Sequence, residues 1–323
     1  MLRIAIIIMF PFLLNACTLG KSVATETPPL SNTLRHWSPD SEPDAVVLAL
    51  HSFGDFSAAF AQLGPRFSES GLYLESYDQA GFGERQLEGR WAGEEQLVQE
   101  ASQRIQHLSS LYQQPVFVMG ESLGGAVAIL AALENPDSVA GIILSAPAVR
   151  EGIRFRYGWN LAIASAAAVA PGYRVSVERD PEDPSLAPAN AQRLATDDRV
   201  IRQVRLDSYW GLIQIADSAS DQVPNLIPLQ IPVLLLYGEN DNSVPEAGIL
   251  ALRQHLQQQL TYHPVPGGPH LLLQGAQWQA TSQLIIHWIE QQTASRTPQQ
   301  KTSLKPATVS TIGPAGQLHA GSD

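Results

Sequence analysis

Cysteine is almost absent from this 323-residue chain. There is one, Cys17, so an internal disulfide is excluded. Charged residues are sparse, at 16% of the chain, and unbalanced: 20 Lys and Arg stand against 31 Asp and Glu, a net charge of −11. That sign argues against a nucleic-acid partner and against a polybasic patch on a membrane surface. By itself it implies nothing beyond solubility. Long apolar runs are also missing. The stretch Ile4 to Leu14 spans 11 residues, too few to cross a bilayer. What is present is ordinary for a globular protein with a sizeable core: 44% of residues are apolar. The length leaves room for two domains but also suits one large α/β domain.

The short apolar run follows Arg3 and ends Leu14-Asn15-Ala16-Cys17. A small positive region, an apolar segment of this length and a small-residue site make a signal peptide. The ending resembles a bacterial lipobox. That resemblance implies that residues 1–16 are removed and that Cys17 is lipidated on sulfur, anchoring the mature chain to a membrane. Thr18, rather than Asp, follows the cysteine, which by the same resemblance points to the outer membrane facing the periplasm. The alternatives are an ordinary secretory signal cut near Ala16 or Ala24, or an uncleaved anchor. Residues 17–33, rich in Ser, Thr, Pro and Glu, are expected to form a flexible tether.

The most informative stretch is Pro115 to Ala131, PVFVMGESLGGAVAILA. Pro-Val-Phe-Val-Met is a compact apolar run that reads as a buried strand. Gly120-Glu121-Ser122-Leu123-Gly124 then turns sharply, and Gly125 to Leu133 is made of strong helix formers. Strand, G-x-S-x-G and helix in that order form a nucleophile elbow. Gly120 and Gly124 lack a Cβ, so strand and helix can approach closely around a strained serine. The competing reading of Ser122 is a helix N-cap.

The rest of the chain gives alternating elements. Strands are expected at Asp44 to Leu50, Gly71 to Tyr77, Val139 to Ser145, Ile231 to Tyr237 and Leu260 to Val265. Helices are expected at Ser57 to Leu63, Glu94 to Tyr112, Glu246 to Leu260 and Ala276 to Gln291. In the second of these, Leu97, Val98, Ala101, Ile105, Leu108 and Leu111 recur at helical spacing. Strands separated by helices predict a mostly parallel, doubly wound sheet. Gly81 and Gly83 follow a strand but form no dinucleotide fingerprint, because the third glycine is missing. Residues 148–228 break the alternation. Leu161 to Ala170 is small and apolar, a polar Pro-rich loop follows to Ala189, and Thr196 to Ser218 has a helical apolar side. This segment is read as an inserted helical cap, with most of its apolar residues packed on the body. Core parts are therefore 34–147 and 229–292, and 293–323 is expected to be a disordered tail.

Two further side chains complete a candidate site. Asp241, with Glu239 as rival, lies at the carboxyl end of the Ile231 strand in Gly238-Glu239-Asn240-Asp241. His270 lies in Pro266-Gly267-Gly268-Pro269-His270, just past the last strand. His51, at the end of the first strand, is read as a loop-shaping residue and not as the base.

Ser122, Asp241 and His270 run in the order nucleophile, acid, base. With HSFGD, YDQAGFGE, GESLGG, YGENDNSVP and GGPH, the chain from Trp37 to Glu290 resembles the α/β-hydrolase superfamily, most closely its monoacylglycerol lipase and lysophospholipase branch. One departure is Ala80, where relatives usually carry Arg. The resemblance implies an oxyanion hole formed by the backbone N–H groups of Phe53 and Leu123. It also implies an acyl-enzyme on Ser122, an acyl ester or lipid substrate, and no metal or organic cofactor. Carboxylesterase, thioesterase and lipase chemistry stay open, as does a non-catalytic lipoprotein that uses the pocket to bind a lipid or partner.

Overall fold

A computed structural model describes residues 29–150 and 157–300. In chain order the elements are β1 (Arg35–Trp37), β2 (Ala45–Leu50), α1 (Leu63–Glu69), β3 (Leu72–Ser76), α2 (Glu94–Tyr112), β4 (Val116–Glu121), α3 (Leu123–Glu134), β5 (Val139–Ser145), α4 (Tyr157–Val169), β6 (Arg174–Ser176), α5 (Pro188–Thr196), β7 (Gln203–Arg205), α6 (Leu206–Gln222), β8 (Val233–Gly238), α7 (Glu246–Leu256), β9 (Leu260–Val265) and α8 (Trp278–Gln300).

Seven strands form one sheet in the order β1-β3-β2-β4-β5-β8-β9. Every pairing is parallel except β1 with β3. Strands β2, β4, β5 and β8 are buried on both faces, as their unbroken apolar runs require. Helices cover both sides. One face buries Leu97, Ile105 and Leu108 of α2 together with α3 and α7; the other buries Phe67 of α1 and Ile285, Trp288 and Ile289 of α8. Each such side chain contributes about 1.5 to 3 kcal/mol relative to exposure. Leu111, in the last turn of α2, stays 60% exposed despite its place in the apolar pattern.

Chain order reverses beside β2, whose neighbours β3 and β4 lie on opposite sides. Crevices at the carboxyl ends of parallel strands gather ligand sites at such a point. Ser122, Asp241 and His270 all follow carboxyl ends of strands in this sheet.

The segment between β5 and β8 is an insertion, since these strands are neighbours in the sheet. It holds α4, α5, α6 and a small antiparallel ribbon of β6 with β7. Here the sequence pattern and the structure part. The single helix expected over Thr196 to Ser218 is instead the end of α5, a turn, strand β7 and then α6 from Leu206. Val204, within that stretch, pairs with Val175 across the ribbon. In α6, Ile213 and Ile215 are buried as expected. Helix α4 is different: Leu161 is 69% exposed and Val169 87%.

Two boundaries also shift. A turn of 3-10 helix over Leu30–Thr33 already belongs to the folded unit, with Thr33 Oγ1 accepting the Asp78 N–H at 3.2 Å. Helix α8 continues past residue 293 to Gln300. The signal segment and Cys17 lie outside the described residues.

Candidate active site

Ser122 sits between β4 and α3 at φ 53, ψ −113, a region that L residues rarely adopt. The sequence forces it there. A Cβ on Gly120 would lie 2.1 Å from the Gly124 carbonyl oxygen, and one on Gly124 would lie 2.1 Å from that of Leu50. Strand and helix can pack this closely only with glycine at both places. Hydrogen bonds then fix the turn: Ser122 N–H donates to Ser145 O at 2.9 Å, and Ala148 N–H donates to Ser122 O at 2.9 Å. The side chain of Ser122 makes no capping hydrogen bond to α3. Ser122 thus stands at the N-cap position without capping the helix.

Asp241 and His270 come together from neighbouring strand ends. His270 Nδ1 lies 2.9 Å from Asp241 Oδ2. The other carboxylate oxygen accepts the N–H groups of Ser243 at 2.7 Å and Val244 at 3.0 Å. Burial pushes the Asp241 carboxyl up, but the bonds from His270, Val244 and Ser243 outweigh it and hold its pKa below the ordinary value. A carboxylate oxygen can only accept, so in this contact Nδ1 carries the proton and Nε2 keeps the free lone pair. Glu239, the rival acid, accepts only a bond from the Gly267 N–H, at 3.3 Å, and is exposed.

Ser122 and His270 line one cavity of 510 Å³, with Phe53 and, from the insertion, Ile163, Leu212 and Ile213. The insertion therefore covers the elbow as a cap. Among the described residues no hydrogen bond joins the Ser122 hydroxyl to His270. Such bonds are often long in empty sites and tighten around substrate.

Phe53 also lines the cavity, and its ring packs edge-on against Phe82 at 5.4 Å. Leu123 is the first residue of α3, where a backbone N–H has no intrahelical acceptor. His51 is fully buried and serves the loop: its Nδ1 lies 2.9 Å from Ser52 O, and its Nε2 accepts the Gln79 N–H at 3.0 Å. Burial lowers its pKa, which matches a neutral ring with an accepting nitrogen.

Behind the elbow lies a polar network that the motifs gave no hint of. Glu121, fully buried, accepts the Leu273 N–H at 2.9 Å and Gln274 Nε2 at 2.9 Å. Gln274 Nε2 also reaches Asp55 Oδ2 at 3.0 Å, and its Oε1 accepts from Arg193 at 2.7 Å. The histidine loop, the elbow, the loop after β2 and the cap are therefore tied through three buried side chains, Asp55, Glu121 and Gln274, and the half-buried Arg193. A single sequence offers no signal for this, because Asp55, Glu121, Arg193 and Gln274 follow no common spacing.

Known proteins resemble the chain over most of its length. It is 26% identical to a human monoglyceride lipase over 274 residues, covering 81% of this chain and 87% of that one. It is 25% identical to a Bacillus subtilis phospholipase, covering 66% of this chain and 82% of that one. The crystal structure of a Paleococcus ferrophilus monoacylglycerol lipase superposes with a TM-score of 0.65 at 21% identity, over 80% of this chain and 98% of that one, a likeness of fold. The family described as Hydrolase_4, serine aminopeptidase S33, matches residues 41–276, from the approach to β2 through the whole histidine loop; the chain belongs to this family of α/β-hydrolases.

Proposed function

We propose that the protein is a serine hydrolase of carboxylic esters, acting on monoacylglycerol-type or lysophospholipid-type substrates through an acyl-enzyme on Ser122. One observation carries the reading: the 2.9 Å bond between Asp241 and His270 opens onto the cavity that Ser122 lines. The family description refers to peptide cleavage, but the relatives named above act on lipid esters, and the cap supplies Ile163, Leu212 and Ile213 as an apolar wall for an acyl chain.

The chemistry follows from the residues. A serine hydroxyl is a weak nucleophile at neutral pH. His270 takes its proton as Oγ bonds to the ester carbonyl carbon. Asp241 holds the ring and stabilises its positive form. The N–H groups of Phe53 and Leu123 receive the carbonyl oxygen as it gains charge, each contributing roughly 3 kcal/mol. The bond to the leaving alcohol breaks as His270 returns the proton to it. Water then attacks the acyl-enzyme by the same route and frees the acid.

The test is Ser122→Ala. The variant should fold as the parent does, lose p-nitrophenyl ester turnover and fail to label with a fluorophosphonate. Substantial activity in this variant would remove Ser122 from the mechanism. An unlabelled parent would instead favour a pocket that only binds. Attachment through Cys17 is a separate proposal, supported by the lipobox-like Leu14-Asn15-Ala16-Cys17. Cys17→Ser should abolish palmitate incorporation and move the protein out of the outer-membrane fraction; retention there with no lipid label would refute it.

A further inference from the structure

The cavity beside Ser122 also contains a charge that the mechanism does not use. Arg179, on the connection from β6 to α5, lines it together with Ser122 and His270. Among the described residues Arg179 is the one arginine with no hydrogen bond, ion pair or aromatic partner. Arg150, which lines the same cavity, is held by Asp217 at 3.2 Å and by Asn160 at 3.0 Å. Arg193 is held by Asp55 and Gln274. Even Arg253, which makes no ion pair, stacks on Tyr262 at 4.0 Å.

The carboxylates whose charge acts on Arg179, Asp55 and Asp183, are already committed. Asp55 bonds to Arg193, Gln274 and the Phe56 N–H. Asp183 closes a turn on Ser185, through the N–H at 2.9 Å and the hydroxyl at 2.7 Å. Arg179 is exposed, so its charge is available to anything that enters the cavity it lines. A guanidinium without a protein partner keeps its five N–H donors for another acceptor. At the wall of a substrate cavity, an incoming anion can supply that partner.

Position narrows the ligand. Ile163 of α4 and Leu212, Ile213 and Ala216 of α6 make an apolar wall suited to an acyl chain. Arg179 comes from a different part of the cap, so the charged end of the ligand is not its acyl chain. A guanidinium presents a planar fork that matches phosphate oxygens two at a time.

We propose that Arg179 is the receptor for a phosphate group on the alcohol half of the ester, so that the preferred substrate is an acylated glycerol phosphate and not a neutral acylglycerol. The proposal rests on the ester-hydrolase reading above and adds the headgroup to it.

The experiment compares kcat/KM of the full protein on 1-oleoylglycerol and 1-oleoylglycerol 3-phosphate, with p-nitrophenyl butyrate as a headgroup-free control. The wild type should prefer the phosphate ester. In Arg179→Gln the ratio of phosphate to neutral ester should fall by about tenfold or more, chiefly through KM. Arg179→Lys should recover part of that ratio. Should the variants not fold, raising NaCl from low to high concentration on the wild type should erode turnover of the phosphate ester far more than that of the neutral one. A ratio that Arg179→Gln leaves unchanged would overturn the proposal, as would a wild type that cleaves the neutral ester but not the phosphate ester. Competition by inorganic phosphate without any preference for the phosphate ester would make Arg179 a site for free phosphate and sink the substrate assignment. Failure on all three esters, p-nitrophenyl butyrate included, would instead overturn the ester-hydrolase reading itself.

Discussion

Arg193 of α5 and Asp55 in the loop after β2 form a two-point ion pair across 138 residues of sequence, with Nη2 to Oδ2 at 2.9 Å. Asp55 is 1% exposed, so its charge has little water to fall back on. The pair fastens the cap to the loop that carries Phe53. Through Gln274 it also reaches the loop that carries His270.

Arg193→Met should therefore do more than trim a surface bridge. It strands a buried carboxylate, which typically costs about 3 to 5 kcal/mol. Adding Asp55→Asn removes the stranded charge and should restore part of the loss. Urea unfolding at pH 7 on the two single variants and the double one measures the coupling. A loss below about 1 kcal/mol in Arg193→Met, the range of exposed pairs, would show that the contact is not the clasp described here.

Ser122 pays for its exposure to the cavity in backbone strain. At φ 53 and ψ −113, with no hydrogen bond from its side chain to the helix, it gains little locally in return. Such strain costs of order 1 to 3 kcal/mol. Glycine relieves it but loses roughly 0.5 to 1 kcal/mol through the freer unfolded chain. Ser122→Gly should thus raise stability by about 1 kcal/mol while abolishing ester turnover. Thermal unfolding beside an activity assay checks this. A variant less stable than the parent would mean that the elbow stores no strain.

The difference between legible and hidden parts of this molecule follows the range of the interactions. Strands β2, β4, β5 and β8 showed in the sequence because burial on both faces writes an unbroken apolar run. Helix α2 showed because one buried face writes a 3.6-residue period. The elbow showed because two close backbone approaches demand glycine at fixed spacing around Ser122. The cap did not resolve into its elements, because Val175 and Val204 pair across a three-residue ribbon too short to leave a period. Helix α4 misled for another reason: its small apolar residues look like core, yet Leu161 and Val169 face outward. Arg179 and the Asp55–Arg193–Gln274–Glu121 network were invisible because their meaning lies in what surrounds them, not in any local pattern.

The choice between Asp241 and Glu239 can be tested by replacement at both positions. Asp241→Asn keeps the shape but offers an amide where His270 needs a carboxylate. By the behaviour of serine triads kcat should fall roughly 10⁴-fold. Glu239→Gln, which alters an exposed side chain, should leave kcat within about twofold, in line with other surface changes. Stability should respond as well. The Asp241 pKa is depressed in the fold, so its contribution is complete above the ordinary carboxylate value near 4 and is lost as pH falls through the folded value. Acid titration of unfolding should show that loss in the parent and not in Asp241→Asn. Equal kcat losses at both positions would leave the assignment of the acid without support.

Glu121 carries the opposite sign. Burial raises its pKa, against the bonds from Gln274 and Leu273 and the charge of His270. The native state therefore binds this proton more tightly than the unfolded chain does. Between the unfolded value near 4.3 and the higher folded value, stability contributed at this site falls as pH rises, and the full penalty remains above the folded value. Glu121→Gln cannot titrate. Its amide N–H₂ cannot accept from Gln274 Nε2, so the variant starts less stable at acid pH. As pH rises the parent takes on its ionisation penalty and the variant does not, so the gap between them should narrow. Subtracting the two unfolding profiles cancels the other carboxylates and isolates this term. A gap that stays constant from acid to neutral pH would mean that Glu121 titrates as an ordinary carboxylate. The histidine loop would then be pinned by hydrogen bonds whose strength does not depend on the proton.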